Sequence, residues 1–295
     1  MHASRFRLAF LLFGLLALTL GAPLLPRQYL ISQNLNQPDD SILRMKQALA
    51  TSAVHPAILI GGGSNVLTGI RAAAVSNALN LPVYNLGLSN EGGDFRNSIA
   101  LLEGAAKAGD TVVYSSRGFH VGAPFIPNKS ATDVGTVPGQ FKLAERSLLG
   151  LLVLDMPDRP WDQADNFNAH GDFTRCLPAK DQLEPLFFYQ PGTSERARFL
   201  KEITGFAQRM KARGVRIVFL APHLLVRAAD LPKWTQHYEK LQSERRLLGP
   251  DWLSQAATDI FVTDPTEFCD TPFHPNTKHA IMNSKKLAQQ LTVQN

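Results

Sequence analysis

Two short segments at opposite ends of the chain carry the residue types of a hydrolytic site. Ser64 follows three glycines, residues 61–63, and the apolar run 57–60, so we expect it at the tip of a buried strand. Asp270 and His274 lie near the C-terminus, just before a predicted helix. The chain order is serine, aspartate, histidine, and a strand, a glycine turn and a helix are predicted around the serine. This pattern points to a Ser-His-Asp mechanism on an α/β sheet.

The groups expected to stabilise a developing oxyanion are backbone N–H groups near the same strand ends. The N–H of Ser64 and that of Gly87, which follows the predicted strand 82–86, are the two candidates. A glycine-rich turn with serine as a helix N-cap, or a phosphate cradle, are the alternatives for residues 61–65. The complete Gly-x-Gly-x-x-Gly pattern, a P-loop lysine and an HExxH motif are absent from the sequence, so we expect neither a cofactor nor a metal.

Apolar runs that alternate with amphipathic helical segments must position these residues. Strands are predicted at residues 57–60, 82–86, 111–114, 215–220 and 259–262. Helices are predicted at residues 40–50, 66–79, 95–108, 196–213, 234–248 and 276–291. Short apolar strands alternating with helices predict an α/β fold whose central, mostly parallel sheet is covered by helices on both faces. In such a sheet, Ser64, Gly87 and His274 come at strand ends on one edge.

Residues 115–194 break this alternation, and we predict that they form an insertion over the carboxyl edge of the sheet. They are rich in proline and polar residues. Within them, Asn168 and Asp172 belong to a polar stretch that is typical either of a pocket-lining loop or of a surface turn. His120 and His223 each follow a predicted strand, and we interpret both as structural.

The N-terminal residues 1–25 form a separate segment that we expect to be a signal anchor. Two arginines precede an almost uninterrupted apolar stretch, which favours an uncleaved anchor with its basic end in the cytoplasm. A cleaved signal peptide and a buried helix are the alternatives. Residues 26–54 then form a linker and a leading helix, and residues 55–295 form the domain that carries the site. Whether residues 1–25 are an anchor or a signal peptide, we expect this domain to be periplasmic.

Cysteine content and charge narrow the functional classes. Cys176 and Cys269 suit an oxidising compartment, in which they either pair in a disulfide or remain two buried thiols. The net charge of +5 over 295 residues is modest, and the basic residues form no stripe interleaved with aromatic side chains. We therefore do not expect nucleic acid as a partner. A hydrophobic fraction of 44% is that of a globular protein with a sizeable core.

Four segments together resemble the SGNH/GDSL hydrolase superfamily, and most of all its membrane-anchored, cell-envelope branch of sugar-modifying proteins. They are residues 62–65, 83–88, 109–113 and 268–276. The resemblance covers roughly residues 55–120 and 205–293. It implies a flavodoxin-like three-layer sandwich with a central parallel sheet. It also implies a serine esterase or O-acyltransferase that acts on acyl groups of envelope or exported carbohydrate through a covalent acyl-enzyme.

The resemblance assigns a role to four residues. Ser64 matches the nucleophile, Gly87 the oxyanion glycine of the second block, and Asp270 and His274 the acid and base of the last block. Three residues separate this aspartate from this histidine, where the commoner form of the family has two, so either the loop absorbs the extra residue or the contact between the two side chains is lengthened. The implied partners are an acylated carbohydrate or small ester and, as a protein, a membrane acyltransferase.

Two further departures from the family pattern concern the oxyanion hole. The family's Gly-Asp-Ser is Gly-Gly-Ser here, and its third-block asparagine has no counterpart after strand 111–114. Ser116 or Arg117 then takes the place of that asparagine as a donor. The side chains expected to contact substrate are Asn65, Asn85, Arg117, Asn168 and Asp172. The alternative function is a non-catalytic module that binds carbohydrate or scaffolds a membrane acyltransferase.

Overall fold

The structure is a computed structural model that describes residues 40–88, 95–121, 166–176, 183–186, 193–245, 252–253 and 255–293. Within these ranges, no helix is long and apolar enough to cross a lipid bilayer. The predicted anchor, residues 1–25, and most of the predicted insertion, residues 115–194, lie outside the described residues.

Four parallel strands form the central sheet. They are β1 (Ile58–Gly62), β2 (Val83–Asn85), β3 (Thr111–Ser115) and β4 (Arg216–Leu220). Their order across the sheet is β2-β1-β3-β4, with Ile58 of β1 opposite both Val83 and Thr111. Most of their residues are buried and apolar, as expected for strands that are covered on both faces. The predicted α/β fold with a central parallel sheet is confirmed.

Helices flank the sheet and connect its strands. The first group comprises α1 (Asp40–Thr51), α2 (Ser64–Gly69), α3 (Ala72–Leu79), α4 (Phe95–Ala105) and α5 (Gly118–Val121). The second group comprises α6 (Thr193–Ala212), α7 (Leu231–Arg245), α8 (Ala257–Ile260) and α9 (Thr277–Val293). Single turns of 3-10 helix lie at Ala228–Asp230 and Pro265–Glu267.

The sheet buries a core on each face, because alternate residues of a strand point to opposite sides. One face presents Leu59 of β1 to a core that includes Phe206 of α6. The other face presents Ile60 to a core that includes Val75 of α3 and Leu287 of α9. Helices α3 and α9 therefore share one side of the sheet, and α2 joins them there through its own buried residues.

The predicted helix 66–79 is divided into α2 and α3 by two residues in extended conformation, which corrects the sequence interpretation. The carboxylate of Asp172 accepts the N–H of Ala72 (2.6 Å) and so caps the start of α3. The N–H of Arg71 donates to Ser284 Oγ (2.8 Å). Both acceptors lie far away in the sequence, so the local pattern carried no sign of the break.

The predicted strand 259–262 is shorter than expected. Its first half belongs to α8, and only β6 (Phe261–Val262) is extended. β6 pairs in parallel with β5 (Leu224–Leu225) in a separate two-stranded sheet. The N–H of Asp259 closes the turn of α8 (3.0 Å), and its carboxylate accepts from Lys286 Nζ (2.7 Å). These bonds favour a helical turn where the apolar pattern alone indicated a strand.

The turn after β1 requires glycine. Gly62 has a φ of +151°, which glycine adopts readily, and a Cβ there would overlap the carbonyl oxygen of Ser115 on β3. A Cβ at Gly61 would overlap the side chain of Leu102 on α4. The end of β1 thus packs closely against β3 and α4. The chain then enters α2, whose first residue is Ser64.

Candidate active site

Ser64 and the end of β3 lie on either side of the point where the strand order reverses. The chain passes from β1 outward to β2 and then returns to β3 on the other side of β1. Ser64 begins the helix that follows β1, and Ser115 ends β3. In open α/β sheets, ligands bind outside the carboxyl ends of the strands at such a reversal point. This edge of the sheet is therefore the candidate site.

Ser64 is partly exposed, whereas residues 65–69 behind it are buried. The carbonyl of Gly63 accepts the N–H groups of Val66 (2.9 Å) and Leu67 (3.1 Å), and these bonds fix the start of α2. The predicted nucleophile therefore lies on a well-defined strand–turn–helix at an accessible edge of the sheet.

The predicted acid and base are in direct contact. Nδ1 of His274 lies 2.6 Å from Oδ1 of Asp270, and the histidine side chain is only 9% exposed. The His274 N–H donates to the Thr271 carbonyl (3.2 Å), and the Cys269 N–H donates to the His274 carbonyl (2.8 Å). The loop thus turns back on itself and absorbs the extra residue. Of the two alternatives, the contact is therefore not lengthened.

The contact determines the tautomer in which His274 can act. A carboxylate only accepts hydrogen bonds, so the geometry assigns the proton of the neutral imidazole to Nδ1 and its lone pair to Nε2. Nε2 is the atom that accepts a proton from serine in a Ser-His-Asp site.

Two contacts connect this loop to the last residue of α2 and to the chain just after β3. Pro275, next to His274, packs on α2, where a Cβ added to Gly69 would lie 3.4 Å from the proline ring. The guanidinium of Arg117, just after β3, lies 4.6 Å from the centre of the Phe273 ring. Arg117, which we expected to contact substrate, therefore lies beside the loop that carries the predicted base.

Two of the predicted oxyanion donors, Gly87 and Ser116, take part in local hydrogen bonds, the first as donor and the second as acceptor. The Gly87 N–H donates to Asn85 Oδ1 (2.9 Å). Ser116 is fully buried, and its Oγ accepts the Gly118 N–H (3.0 Å) at the start of α5. For an oxyanion hole at this edge, the Gly87 N–H would have to share or exchange its bond to Asn85 Oδ1. The donor role of Gly87 and Ser116 stays a prediction.

Three residues that we expected to contact substrate form a brace along the β2 edge of the sheet instead. Asn85 is 0% exposed, and its Nδ2 donates to the Ile70 carbonyl (3.0 Å). Asp172 is also 0% exposed, and it accepts from Asn168 Nδ2 (3.0 Å) as well as from the start of α3. These bonds hold α2, α3 and residues 166–176 together. The structure thus gives the buried Asn85 and Asp172 a structural role, which corrects the expectation, whereas Asn168 is partly exposed and its contact with substrate stays a prediction.

A lysine that no motif marks lies inside this brace. Lys46 of α1 is 0% exposed, and its Nζ donates to the carbonyls of Asn85 (2.7 Å) and Gly171 (2.5 Å). The same Nζ lies 5.0 Å from the centre of the Phe167 ring. Burial lowers the pKa of Lys46 to about 7, although the nearby Asp172 carboxylate acts to raise it. The position of this lysine on the apolar stripe of α1 was the available sequence signal.

Asn65, also expected to contact substrate, remains part of the candidate site. It is 4% exposed, its Nδ2 lies 3.4 Å from Ser115 Oγ, and it lines a cavity between α2 and α9. Of the residues expected to contact substrate, Asn65 and Arg117 are those that the structure brings to this edge.

A second carboxylate–imidazole pair lies at the start of α9. Nδ1 of His279 is 2.5 Å from Oε2 of Glu267, and its Nε2 is 3.3 Å from Nδ1 of His223. Burial is the main cause that lowers the pKa of both imidazoles, to about 3 for His223. The interpretation of His223 as structural stays a prediction. The sequence did not indicate this chain of contacts, because Glu267 and His279 show no recognisable motif.

A disulfide joins Cys176 to Cys269 and decides between the two alternatives for these residues. It connects residues 166–176 to the loop that carries Asp270. The two cysteines are 93 positions apart in the sequence, so the bond closes a long loop.

Removing this disulfide is expected to lower the free energy of unfolding by about 3 kcal/mol, because a cross-link that closes a long loop restricts the unfolded chain. The test is equilibrium urea denaturation of the double variant Cys176→Ser, Cys269→Ser. Wild-type protein in dithiothreitol is the matched control and should behave like the variant. An unchanged unfolding midpoint in both samples would show that the cross-link does not stabilise the fold.

Comparison of this chain with models of protein families, with curated proteins and with solved structures finds no match. The chemistry of the site therefore follows from its own geometry. Asp270 and His274 form a close carboxylate–imidazole pair in a loop that contacts Arg117, just after β3, and Ser64 begins a helix at the carboxyl edge of the sheet. A cavity lined by polar and apolar side chains lies between α2 and α9.

Proposed function

We propose that this protein is a serine esterase or O-acyltransferase that removes or transfers acyl groups on envelope or exported carbohydrate. The observation that carries the proposal is the 2.6 Å contact between Asp270 and Nδ1 of His274, in a loop that contacts Arg117 beside the carboxyl end of β3. The strand order β2-β1-β3-β4 also agrees with the flavodoxin-like sandwich of the SGNH hydrolases, which the motifs of this chain resemble.

In the proposed reaction, Oγ of Ser64 attacks the carbonyl carbon of an ester while Nε2 of His274 accepts the hydroxyl proton. Asp270 holds the imidazole in the required tautomer and stabilises the imidazolium that forms. Collapse of the tetrahedral intermediate breaks the ester C–O bond, and the imidazolium gives its proton to the departing alkoxide. Water or a sugar hydroxyl then attacks the acyl carbon and gives its proton to Nε2 of His274. The bond between the acyl carbon and Ser64 Oγ breaks, the imidazolium returns the proton to Oγ, and the product leaves as a carboxylic acid or a new ester.

The proposal includes a location and a set of partners. We place the domain in the periplasm, tethered to the inner membrane through residues 1–25. The disulfide between Cys176 and Cys269 supports an oxidising compartment. The reaction needs no cofactor, and the protein partner that we propose is a membrane acyltransferase that supplies acyl groups.

Labelling with a fluorophosphonate tests the nucleophile. Because the reagent reacts with a serine that a neighbouring base activates, wild-type protein is expected to label at one residue and Ser64→Ala not at all. Ser52→Ala is the matched control, since Ser52 is exposed at the end of α1 and should be irrelevant to labelling. Labelling of Ser64→Ala at the wild-type level would assign the nucleophile to another serine and refute the proposal.

A second candidate is a non-catalytic module that binds carbohydrate or scaffolds a membrane acyltransferase. The bond of the Gly87 N–H to Asn85 Oδ1 and the complete burial of Ser116 favour it, because a competent oxyanion hole needs donors aimed at the reacting oxygen. A wild-type protein that binds sugar but neither labels nor hydrolyses a chromogenic acetyl ester would support this second function and exclude the first.

A further inference from the structure

The loop that carries the predicted acid and base folds back on itself as a narrow hairpin over residues 267–276, which we call the 267–276 hairpin. The Asn276 N–H donates to the Glu267 carbonyl (2.8 Å), and the Cys269 N–H donates to the His274 carbonyl (2.8 Å). A two-stranded hairpin is at best marginally stable by itself in water. Contacts with the rest of the protein must therefore hold this hairpin in its place.

One such contact closes the open end of the hairpin. Glu267 begins the hairpin, and His279 lies in the first turn of α9, just after the hairpin ends. Nδ1 of His279 donates to Oε2 of Glu267 (2.5 Å), and the histidine side chain is only 5% exposed. The backbone N–H of His279 donates to Oδ1 of Asn276 (2.9 Å). His279 thus binds both ends of the 267–276 hairpin.

His223 connects this contact to the central sheet. It lies between β4 and β5, and its Nδ1 is 3.3 Å from Nε2 of His279. Because Glu267 accepts the proton of His279 Nδ1, Nε2 of His279 carries the lone pair and accepts from His223. A chain of two hydrogen bonds, which we call the imidazole chain, therefore runs from the open end of the hairpin to the segment that follows β4.

Both imidazoles of the chain are neutral at neutral pH. Burial, with repulsion from His279 and Lys286, lowers the pKa of His223 to about 3. Burial also lowers the pKa of His279 below its ordinary value of 6.5, although Glu267 acts to raise it. Each imidazole thus offers one donor and one acceptor, so both bonds of the imidazole chain have a fixed direction.

The chemistry of the imidazole chain suits placement better than stabilisation. Buried polar pairs give little net stability, and apolar side chains of similar volume often stabilise a fold as well or better. Hydrogen bonds, in contrast, fix both a distance and a direction. The element that this chain holds carries the predicted acid and base, and there a displacement of about 1 Å is enough to impair catalysis.

We propose that His279 is a positioning residue for the Asp270–His274 pair. Held by Glu267 on one side and by His223 on the other, it fixes the 267–276 hairpin relative to the end of β4. In this role it acts through the hairpin and does not itself contact substrate. The effect on turnover rests on the proposed function, whereas the effect on the Asp270–His274 contact can be measured independently of it.

The proton shared by His274 and Asp270 reports the position of the hairpin. A proton in a short imidazole–carboxylate bond gives an NMR signal far downfield of the backbone amides, and His274→Ala identifies this signal by removing it. His279→Phe keeps an aromatic ring beside Phe268, 6.1 Å away in the wild type, but lacks both ring nitrogens. In the full chain with this substitution, the His274 signal is expected to shift or broaden.

The hairpin should be displaced in this variant and not unfolded. The disulfide still binds Cys269, and the Leu225 N–H still donates to the Pro272 carbonyl (2.9 Å) near the tip of the hairpin. All spectra and rates are recorded well below the melting temperature of each variant, so that a loss of stability alone does not change them.

Turnover should change together with the signal. In His279→Phe and in Glu267→Ala, kcat for an acetyl ester and the rate of fluorophosphonate labelling are expected to fall about 10- to 100-fold, whereas KM changes little, because the base is displaced and not removed. Glu267→Gln keeps an oxygen that can accept from His279, so both rates should return to within about twofold of wild type.

His55→Phe is the matched control. Nδ1 of His55 lies 2.8 Å from Asp110, so this variant loses a similar imidazole–carboxylate pair, but at the opposite edge of the sheet and without a change in the hairpin. It should keep the His274 signal and wild-type turnover, whatever its melting temperature.

An unchanged His274 signal in His279→Phe would overturn the inference. Wild-type turnover in both His279→Phe and Glu267→Ala, or a Glu267→Gln variant as slow as Glu267→Ala, would also overturn it. Wild-type protein that does not label with the fluorophosphonate overturns the enzymatic function instead, and the His274 signal then still decides whether His279 positions the pair.

Discussion

Replacing His274 with alanine is expected to lower turnover of an acetyl ester on the order of 10⁴-fold, and Asp270→Asn to lower it by a similar factor. The carboxylate lies 2.6 Å from Nδ1 of the imidazole, so an asparagine there would present an amide N–H and favour the opposite tautomer. The lone pair would then move from Nε2 to Nδ1, whereas the proposed mechanism needs it on Nε2. Substrate affinity should change little, and the loss should appear in kcat.

The matched control is an imidazole–carboxylate pair at the opposite edge of the sheet. Nδ1 of His55 lies 2.8 Å from Asp110, which directly precedes β3. His55→Ala should therefore keep wild-type turnover, and a thermal melt of each variant checks that it folds. Wild-type kcat in His274→Ala would show that this histidine is not the base, and His120 and His223 would be examined next.

The sheet could be predicted because each of its strands can be recognised from a short stretch of sequence. Strands β1 and β3 are buried on both faces and appear as short apolar runs, and the glycines after β1 mark the turn into α2. The break between α2 and α3 could not be predicted in this way. It depends on Asp172, which is 100 positions from Ala72, and on Ser284, which is 213 positions from Arg71. Bonds over such distances leave no periodic trace in the sequence.

The same difference between local and distant information applies to the site. Asp270 and His274 are four positions apart, so one loop brings them together and the motif could be recognised. Asn85 and Asp172 are polar residues next to predicted strands or turns, and the sequence does not distinguish a polar residue that lines a cleft from one that holds elements together. Their burial at 0% exposure follows only from the packing of residues 166–176 against the edge of β2.

The free energy of unfolding is expected to rise with pH between about 7 and 10.5 because of Lys46. Burial lowers the pKa of this lysine to about 7 in the folded protein, from 10.5 as the ordinary value. Between these values the unfolded chain binds a proton that the folded chain does not, so the stabilisation is complete above 10.5 and is lost as pH falls toward 7. The slope is about 1.4 kcal/mol per pH unit, on the order of 5 kcal/mol over the whole window.

Urea denaturation of Lys46→Met at a series of pH values isolates this contribution. The variant should be less stable than wild type at high pH, because the carbonyls of Asn85 and Gly171 lose a donor, and the difference should shrink as pH falls toward 7. Lys201→Met, on the exposed face of α6, is the control and should keep the wild-type slope. His223 and His279 do not interfere, because their lowered pKa values act below the ordinary histidine value of 6.5. A wild-type slope in Lys46→Met would mean that Lys46 stays charged in the folded protein, paired with Asp172.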